Sequence, residues 1–187
     1  LPFGRLREPM SSLKRAQLVV VNKVLEEDTI RSFQRRIGGK LAFTRTVALR
    51  LVPFWPGAEV IDMENRQRRM CIAFAGIGNP EPFYLEIRKM GLLPMRSYRF
   101  GDHHRYRSGQ LRRMARRWQR LANQNALQEP PLLITTEKDA MRLLTQPWFV
   151  EQYRDYPFYY LEIALEVIRG KDSFEAAIQA FATRHRP

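Results

Sequence analysis

The sequence predicts an α/β protein, a single three-layer α/β/α domain over residues 1–187 with a mostly parallel sheet. Apolar, β-branched runs typical of strands alternate along the chain with amphipathic segments typical of helices. This alternation is the pattern that parallel strands joined by crossover helices produce. The run 70–75 is apolar at every position, as expected of a strand that is buried on both faces of its sheet.

The first third of the chain predicts strands around one helix. "AQLVVVNK" (16–23) is typical of a short buried strand. Segment 26–39 spaces apolar residues three and four apart, with acids first, arginines last and two glycines at its end, which predicts a helix. The alternating segment 40–54 predicts one or two strands, and the turn-rich segment 55–67 predicts a connection.

The clearest unit is a strand, a tight turn and a helix in the middle of the chain. Strand 70–75 leads into "GIGNP", in which two glycines suit a tight turn. Asn79 as a cap, followed by Pro80 and an acid, predicts a helix that ends at about Met90. "LPMRSYRF" (93–100) then predicts the next strand.

The last part of the chain continues the alternation. Segment 108–127 predicts a helix with one apolar face and one face of arginines. Segment 130–144 predicts a strand, a turn and a helix, with Thr136 and Asp139 at capping-box spacing. Segment 157–185 predicts a last strand followed by a last helix.

Three motifs follow predicted strands directly: "GIGNP" (76–80), "GDHH" (101–104) and "TTEKD" (135–139). Ligands of parallel sheets gather outside the carboxyl ends of the strands, so these motifs predict a site. "GIGNP" lacks the third glycine of a dinucleotide fingerprint and is either a simple turn or an anion site at a helix N-terminus. "TTEKD" is either a helix cap with surface charges or a segment whose Lys138 and threonines face the site.

The paired histidines of "GDHH" allow a metal site, a catalytic base or local hydrogen bonding. Neighbouring residues of an extended chain point in opposite directions, and the third histidine, His185, lies near the end of the sequence. Too few ligands therefore exist for a structural zinc site, and no metal ligands are predicted. A histidine beside a carboxylate is a familiar general-base arrangement, although a purely local role stays open.

The net charge of +13, from 32 Lys and Arg against 19 Asp and Glu, predicts an anionic partner. Nucleic acid, a phosphate ligand and an acidic membrane surface all fit this charge, and an Arg-rich nucleic-acid-binding domain is the main alternative. The arginine face of segment 108–127 is either simply solvated or suited to acidic headgroups. It consists of Arg112, Arg113, Arg116, Arg117 and Arg120.

The cysteine content and the absence of long apolar runs indicate the kind of protein and compartment. The single cysteine, Cys71, lies in an apolar run, which predicts a buried structural thiol in a reducing compartment. The sequence contains no apolar run long enough for a membrane span and no signal-peptide pattern, and its start suggests a piece of a longer chain. No phosphate-binding P-loop pattern occurs in it.

Four motifs together resemble, in order, the C-terminal half of the tetraacyldisaccharide 4'-kinase family. They are "LPFGRLREPMSSLKRAQLVVVNK", "FAGIGNPEPFYLEIRKMG", "FGDHHRY" and "LLITTEKDAMRL". The resemblance implies the C-terminal lobe of a two-lobe kinase that phosphorylates the 4'-hydroxyl of the tetraacyldisaccharide 1-phosphate precursor of lipid A. It further implies ATP and Mg²⁺, bound mainly by an N-terminal P-loop lobe absent from this sequence, so that this piece alone is expected to be inactive. The expected location is the cytoplasmic face of the inner membrane of a Gram-negative bacterium, as a peripheral protein on an acidic surface, with no nucleic acid as partner.

The resemblance also implies roles for individual residues. His103 matches the catalytic histidine of the family, with Asp102 beside it, and works with an aspartate of the other lobe in deprotonating the sugar hydroxyl. Arg7 is expected near the ATP phosphates and Glu8 near the nucleoside. The remaining matched positions are expected to bind substrate or to order the cleft, and they are Asn79, His104, Thr136 and Lys138. A different enzyme with its own Asp-His site is a third reading.

Overall fold

A computed structural model gives the fold, and it describes residues 9–24, 26–37, 39–58, 60–62, 69–123 and 129–184. The strands are β1 (Val19–Val21), β2 (Leu41–Pro53), β3 (Ile61–Asp62), β4 (Met70–Ala75), β5 (Leu93–Arg99), β6 (Leu132–Thr136) and β7 (Phe158–Arg169). The α-helices are α1 (Glu27–Arg36), α2 (Glu81–Lys89), α3 (Ser108–Ala122), α4 (Glu137–Leu144), α5 (Pro147–Tyr153) and α6 (Lys171–Arg184). A short 3-10 helix covers Met10–Arg15.

The strands form one sheet in the order β1-β2-β7-β6-β4-β5, with β3 paired to β2. β4 runs parallel to both β5 and β6, and β6 runs parallel to β7. β1 is parallel to β2, whereas the two-residue β3 is antiparallel to it. The predicted α/β class with a mostly parallel sheet is therefore confirmed.

By its contacts the chain divides into two compact units, residues 1–47 with 165–187 and residues 48–164. β2 and β7 contribute residues to both units, and the expectation of a single domain stays a prediction. In the first unit, Val24, Ile30 and Phe43 form a small core. Gly170, at φ +78°, also belongs to this unit, and a side-chain carbon there would lie 2.1 Å from the carbonyl oxygen of Leu41, so that the position requires glycine.

The second unit has three layers because the residues of β4 alternate between two cores. Ile72 and Phe74 pack with α3, α4 and α5 on one face, where a cluster of aromatic rings centres on Phe149 and Phe158. Cys71, Ala73 and Ala75 pack with α2 on the other face. Burial raises the pKa of the Cys71 thiol to about 12, which leaves it unreactive and confirms the predicted buried thiol.

Several local predictions differ from the structure. α2 begins at Glu81 after Pro80, so that Asn79 is not its cap. β6 passes directly into α4 without the predicted turn, and α5 and β3 were not predicted. The apolar face of α3 is buried as expected, but Arg117 on its other face is only partly exposed, with its Nε shielded from solvent.

Candidate active site

The three predicted motifs meet at the carboxyl ends of the neighbouring parallel strands β4, β5 and β6. A side-chain carbon at Gly76 would lie 2.9 Å from Cβ of His104 and 3.1 Å from Oδ1 of Asp139, so that this close approach requires glycine. A side-chain carbon at Gly78 would lie 3.5 Å from Oδ2 of Asp102. All three segments are thus in contact in one place.

Asp139 is the buried anchor of this cluster, with 0% of its surface exposed. Its Oδ2 accepts hydrogen bonds from the backbone N–H of Gly76 at 2.8 Å and from the hydroxyl of Thr136 at 2.8 Å. The Thr136 hydroxyl in turn accepts from the backbone N–H of Asp139 at 3.2 Å, which caps α4. Thr136 therefore caps α4, and the Asp139 carboxylate also binds the residue that follows β4.

Arg142 lies one helical turn after Asp139 and completes its pairing. Its Nη1 donates to Oδ1 of Asp139 at 3.2 Å and to the carbonyl oxygen of Gly76 at 3.3 Å. Its Nη2 lies 3.0 Å from Nδ1 of His103. One guanidinium therefore joins the buried carboxylate to the exposed histidine.

His103 is the exposed member of the cluster, and its side chain has 71% of its surface accessible. Its φ of +56° lies in the left-handed region that non-glycine residues rarely adopt. The side chain of Asp102 supports this turn, since its Oδ1 accepts the backbone N–H of His103 at 2.9 Å and its Oδ2 lies 3.6 Å from the imidazole Nε2. Backbone strain of this kind concentrates at functional sites.

The two neighbouring histidines have separate surroundings. His104 stacks on Phe100, with ring centroids 4.4 Å apart, and its Nε2 donates to Oε1 of Gln110 at 3.1 Å. That same oxygen accepts the backbone N–H of Arg107 at the start of α3. His104 thus secures the loop to α3, whereas His103 faces outward.

Tyr106 lies buried against the ring of His104, with centroids 5.1 Å apart, and sequence reasoning missed it. Its hydroxyl is shielded from solvent and lies close to the point where Gly76 meets Asp139. Burial, followed by the nearby carboxylate of Asp139, raises the pKa of Tyr106 above the ordinary tyrosine value. The tyrosine therefore stays neutral and contributes an apolar floor to the cluster.

The other predicted site residues are placed as follows. Thr136 is buried as the cap of α4, whereas Asn79 and Lys138 are exposed. Arg7 and Glu8 lie outside the described residues, as does His185. Arg142 was also missed, although its place three residues after Asp139 in "TTEKDAMRL" put both side chains on one side of a helix.

The cluster lies at an edge of the second unit, where His103 is exposed to solvent. Two shallow cavities of about 250 and 330 Å³ are lined by residues from other segments. Within the described ranges, no three His, Cys, Asp or Glu side chains come together in a group that could hold a metal ion. The chemistry available here is an exposed imidazole, oriented by a carboxylate and a guanidinium.

The sequence also matches a family of known proteins. The model of the tetraacyldisaccharide-1-P 4'-kinase family matches residues 1–183. The chain belongs to this family. The resemblance seen in the four motifs is thereby confirmed, and "GDHH" and "TTEKD" are segments of a tetraacyldisaccharide-1-P 4'-kinase sequence.

Individual relatives agree with the family assignment. The tetraacyldisaccharide 4'-kinase of Chlorobium limicola is 33% identical over 175 residues, which cover 92% of this chain and 47% of the relative. That of Gluconobacter oxydans is 36% identical over 144 residues, covering 76% of this chain and 38% of the relative. The chain spans about half the length, or less, of these curated relatives.

One solved structure shares the fold. It is the crystal structure of LpxK from Aquifex aeolicus in complex with ATP, with a TM-score of 0.55 and 18% sequence identity. The likeness covers 94% of this chain and 46% of that protein. It supports the α/β fold over nearly the whole length of this chain.

Proposed function

We propose that this chain supplies the histidine-bearing side of the active site in a kinase that phosphorylates the 4'-hydroxyl of tetraacyldisaccharide 1-phosphate, the lipid A precursor. The observation that carries the proposal is the placement of His103 in a strained, exposed turn where three motif segments meet. Membership of the tetraacyldisaccharide-1-P 4'-kinase family names the reaction class and the substrate.

The proposed chemistry of the chain is to position a proton-handling group. Phosphoryl transfer needs mainly alignment and charge stabilisation, together with a group that manages the proton of the attacking hydroxyl. His103 is exposed enough to reach a bound sugar, and Asp102 and Arg142 restrict its orientation. We assign it to support deprotonation of the 4'-hydroxyl by donating a hydrogen bond from its imidazole, while an aspartate of a second, P-loop lobe takes the proton.

ATP and Mg²⁺ are assigned mainly to that P-loop lobe. This sequence contains no P-loop pattern, and the part of the chain that the structure describes offers no three-ligand metal group. The described residues alone therefore do not form a metal-nucleotide site, whereas Arg7 and Glu8, which lie outside them, are assigned to contact the ATP held by that lobe.

The test uses the chain by itself beside the full-length protein that carries this sequence. With ATP, Mg²⁺ and tetraacyldisaccharide 1-phosphate, the full-length protein is expected to transfer phosphate to the lipid, while the chain alone transfers none. Thin-layer separation of radiolabelled lipid measures the transfer. Measurable phosphorylation by the chain alone would contradict the assignment of ATP binding to a second lobe. An inactive full-length protein would contradict the proposed kinase reaction.

The arginine face of α3 is proposed to contact an acidic membrane surface, at the cytoplasmic side of the inner membrane. Arg112, Arg116 and Arg120 are exposed along the helix. The first two line a shallow groove of about 250 Å³ with Tyr153 and Tyr156, whose polar rim suits phosphate headgroups. Among the residues that the structure describes, no helix combines the length and apolar character needed to cross a bilayer.

Replacing Arg112, Arg116 and Arg120 together with glutamine is expected to weaken binding to vesicles of anionic phospholipid. At about 1 kcal/mol per arginine near the surface, the loss is roughly a hundredfold at low salt, and it shrinks as salt is added. Vesicle co-sedimentation measures it. The matched control removes the same charge from α1, through Arg31, Arg35 and Arg36.

Equal losses from the two triple variants would mean that only net charge matters and would contradict a specific face on α3. Unchanged vesicle binding would show that the face is merely solvated. Salt-dependent binding to random duplex DNA, without binding to vesicles, would instead favour the nucleic-acid alternative.

A further inference from the structure

Arg142 links the buried carboxylate of the site to the exposed imidazole. Its side chain is 27% exposed, and two of its nitrogens contact three different residues. Nη1 contacts Asp139 and the carbonyl of Gly76, and Nη2 contacts Nδ1 of His103 at 3.0 Å. Because the guanidinium is planar and is held by the buried Asp139, it can also restrain the imidazole ring of His103.

The contact with Arg142 decides which ring nitrogen of His103 carries the proton. A guanidinium in a protein has only N–H donors and stays protonated, so Nδ1 of His103 must accept the hydrogen bond. A neutral imidazole has a single N–H, which therefore lies on Nε2. Oδ2 of Asp102 lies 3.6 Å from Nε2, too far for a hydrogen bond, so the Nε2 N–H is available to donate to another group.

We propose that Arg142 is a positioning residue that fixes the neutral His103 as its Nε2–H tautomer and holds the ring in place. The anchor is rigid, because Asp139 is fully buried and is itself tied to Gly76 and Thr136. Without Arg142, only the Asp102 carboxylate among the described residues, 3.6 Å from Nε2, would restrain the exposed ring. The catalytic meaning of this assignment rests on the proposed function, whereas the tautomer itself does not.

Lysine would not reproduce this arrangement. A guanidinium presents several donors in one rigid plane, and Arg142 uses Nη1 for Asp139 and the Gly76 carbonyl and Nη2 for His103. An ammonium group is a single point charge on a flexible stem, so its contact with Asp139 would not fix a second donor at His103. The proposed role therefore requires the planar arrangement of the guanidinium donors as well as the positive charge.

The test measures the ring nitrogens of His103 directly in the chain as it stands. With ¹⁵N-labelled histidine, long-range ¹H–¹⁵N spectra at about pH 8.5, above the ordinary imidazole range, show which nitrogen is protonated. His103 is expected as a single Nε2–H tautomer with a hydrogen-bonded Nδ1. In Arg142→Met, the Nδ1 and Nε2 resonances are expected to move towards each other as two tautomers average, and His103→Asn identifies the signals.

Two controls accompany the spectra. Arg154→Gln removes an exposed arginine of the same unit and should leave the spectra of His103 unchanged. His104 serves as an internal reference, because its contacts are with Gln110 and Phe100. In the full-length kinase, Arg142→Met should also lower kcat by about tenfold to a hundredfold through lost orientation, with KM for the lipid little changed.

Arg142→Met leaves the buried carboxylate of Asp139 without its cation and could prevent folding. The double variant Asp139→Asn/Arg142→Met removes both charges and provides the same readout. An unchanged tautomer in either folded variant, or an Nδ1–H tautomer in the unmodified chain, would overturn the proposal. Because these spectra need neither ATP nor lipid, failure of the tautomer assignment and failure of the proposed kinase function are separate results.

Discussion

If the proposed function holds, replacing His103 with alanine in the full-length protein is expected to lower kcat by about 10²–10⁴, the usual contribution of a positioned proton-handling group. The imidazole is 71% exposed, so its removal leaves no cavity in a packed core, and the free energy of unfolding should change little. The loss should therefore fall on turnover. Steady-state kinetics with saturating lipid, together with urea unfolding of the same variant, separate the two effects.

The left-handed backbone of residue 103 suggests a second substitution. Alanine adopts φ +56° less readily than histidine does, whereas asparagine, like histidine, is enriched in this conformation. His103→Asn should thus preserve the turn with Asp102 while it removes the imidazole. Equal losses of kcat in the alanine and asparagine variants would assign the effect to the ring, and a normal kcat in either would remove His103 from the mechanism.

The neighbouring histidine provides the matched comparison. His104→Phe keeps an aromatic ring against Phe100 and loses the hydrogen bond to Gln110. We expect a loss of kcat below about tenfold, since one neutral hydrogen bond contributes about 1 kcal/mol. Equal losses at the two histidines would contradict the division between an exposed functional ring and a ring that secures the loop.

The convergence of the three motifs could be predicted from the sequence because it depends on strand direction alone. Parallel strands end at the same edge, so motifs that follow β4, β5 and β6 had to meet whatever their side chains do. The apolar run of β4 predicted burial on both faces for the same reason, since every residue from Cys71 to Ala75 packs in one of two cores. These inferences use backbone periodicity, which a single sequence contains.

Contacts between distant side chains could not be predicted in this way. Arg142 reads as one more basic residue on a short helix, and its partner His103 is 39 positions earlier in the chain. Asp139 reads as a cap residue, although its carboxylate also binds the N–H of Gly76, 63 positions away. α5 was missed because its seven residues carry too little periodicity to separate a helix from a loop.

Replacing Asp139 with alanine is expected to lower the free energy of unfolding by about 3 kcal/mol. The carboxylate is fully buried and accepts from Gly76, Thr136 and Arg142, so its loss leaves the buried N–H of Gly76 without an acceptor. Breaking a buried ion pair costs about 3–5 kcal/mol. The lower end applies because the Arg142 side chain is 27% exposed and water can solvate its guanidinium.

Urea unfolding followed by circular dichroism measures this loss, and Asp155→Ala, at an exposed aspartate of the same unit, should stay within about 0.5 kcal/mol of the unmodified chain. The loss of unfolding free energy in Asp139→Asn should lie between those of Asp139→Ala and Asp155→Ala. Its amide keeps one acceptor oxygen but turns an N–H towards a donor. A loss below about 1 kcal/mol in Asp139→Ala would mean that water replaces the carboxylate. Arg142 would then have no fixed anchor from which to orient His103.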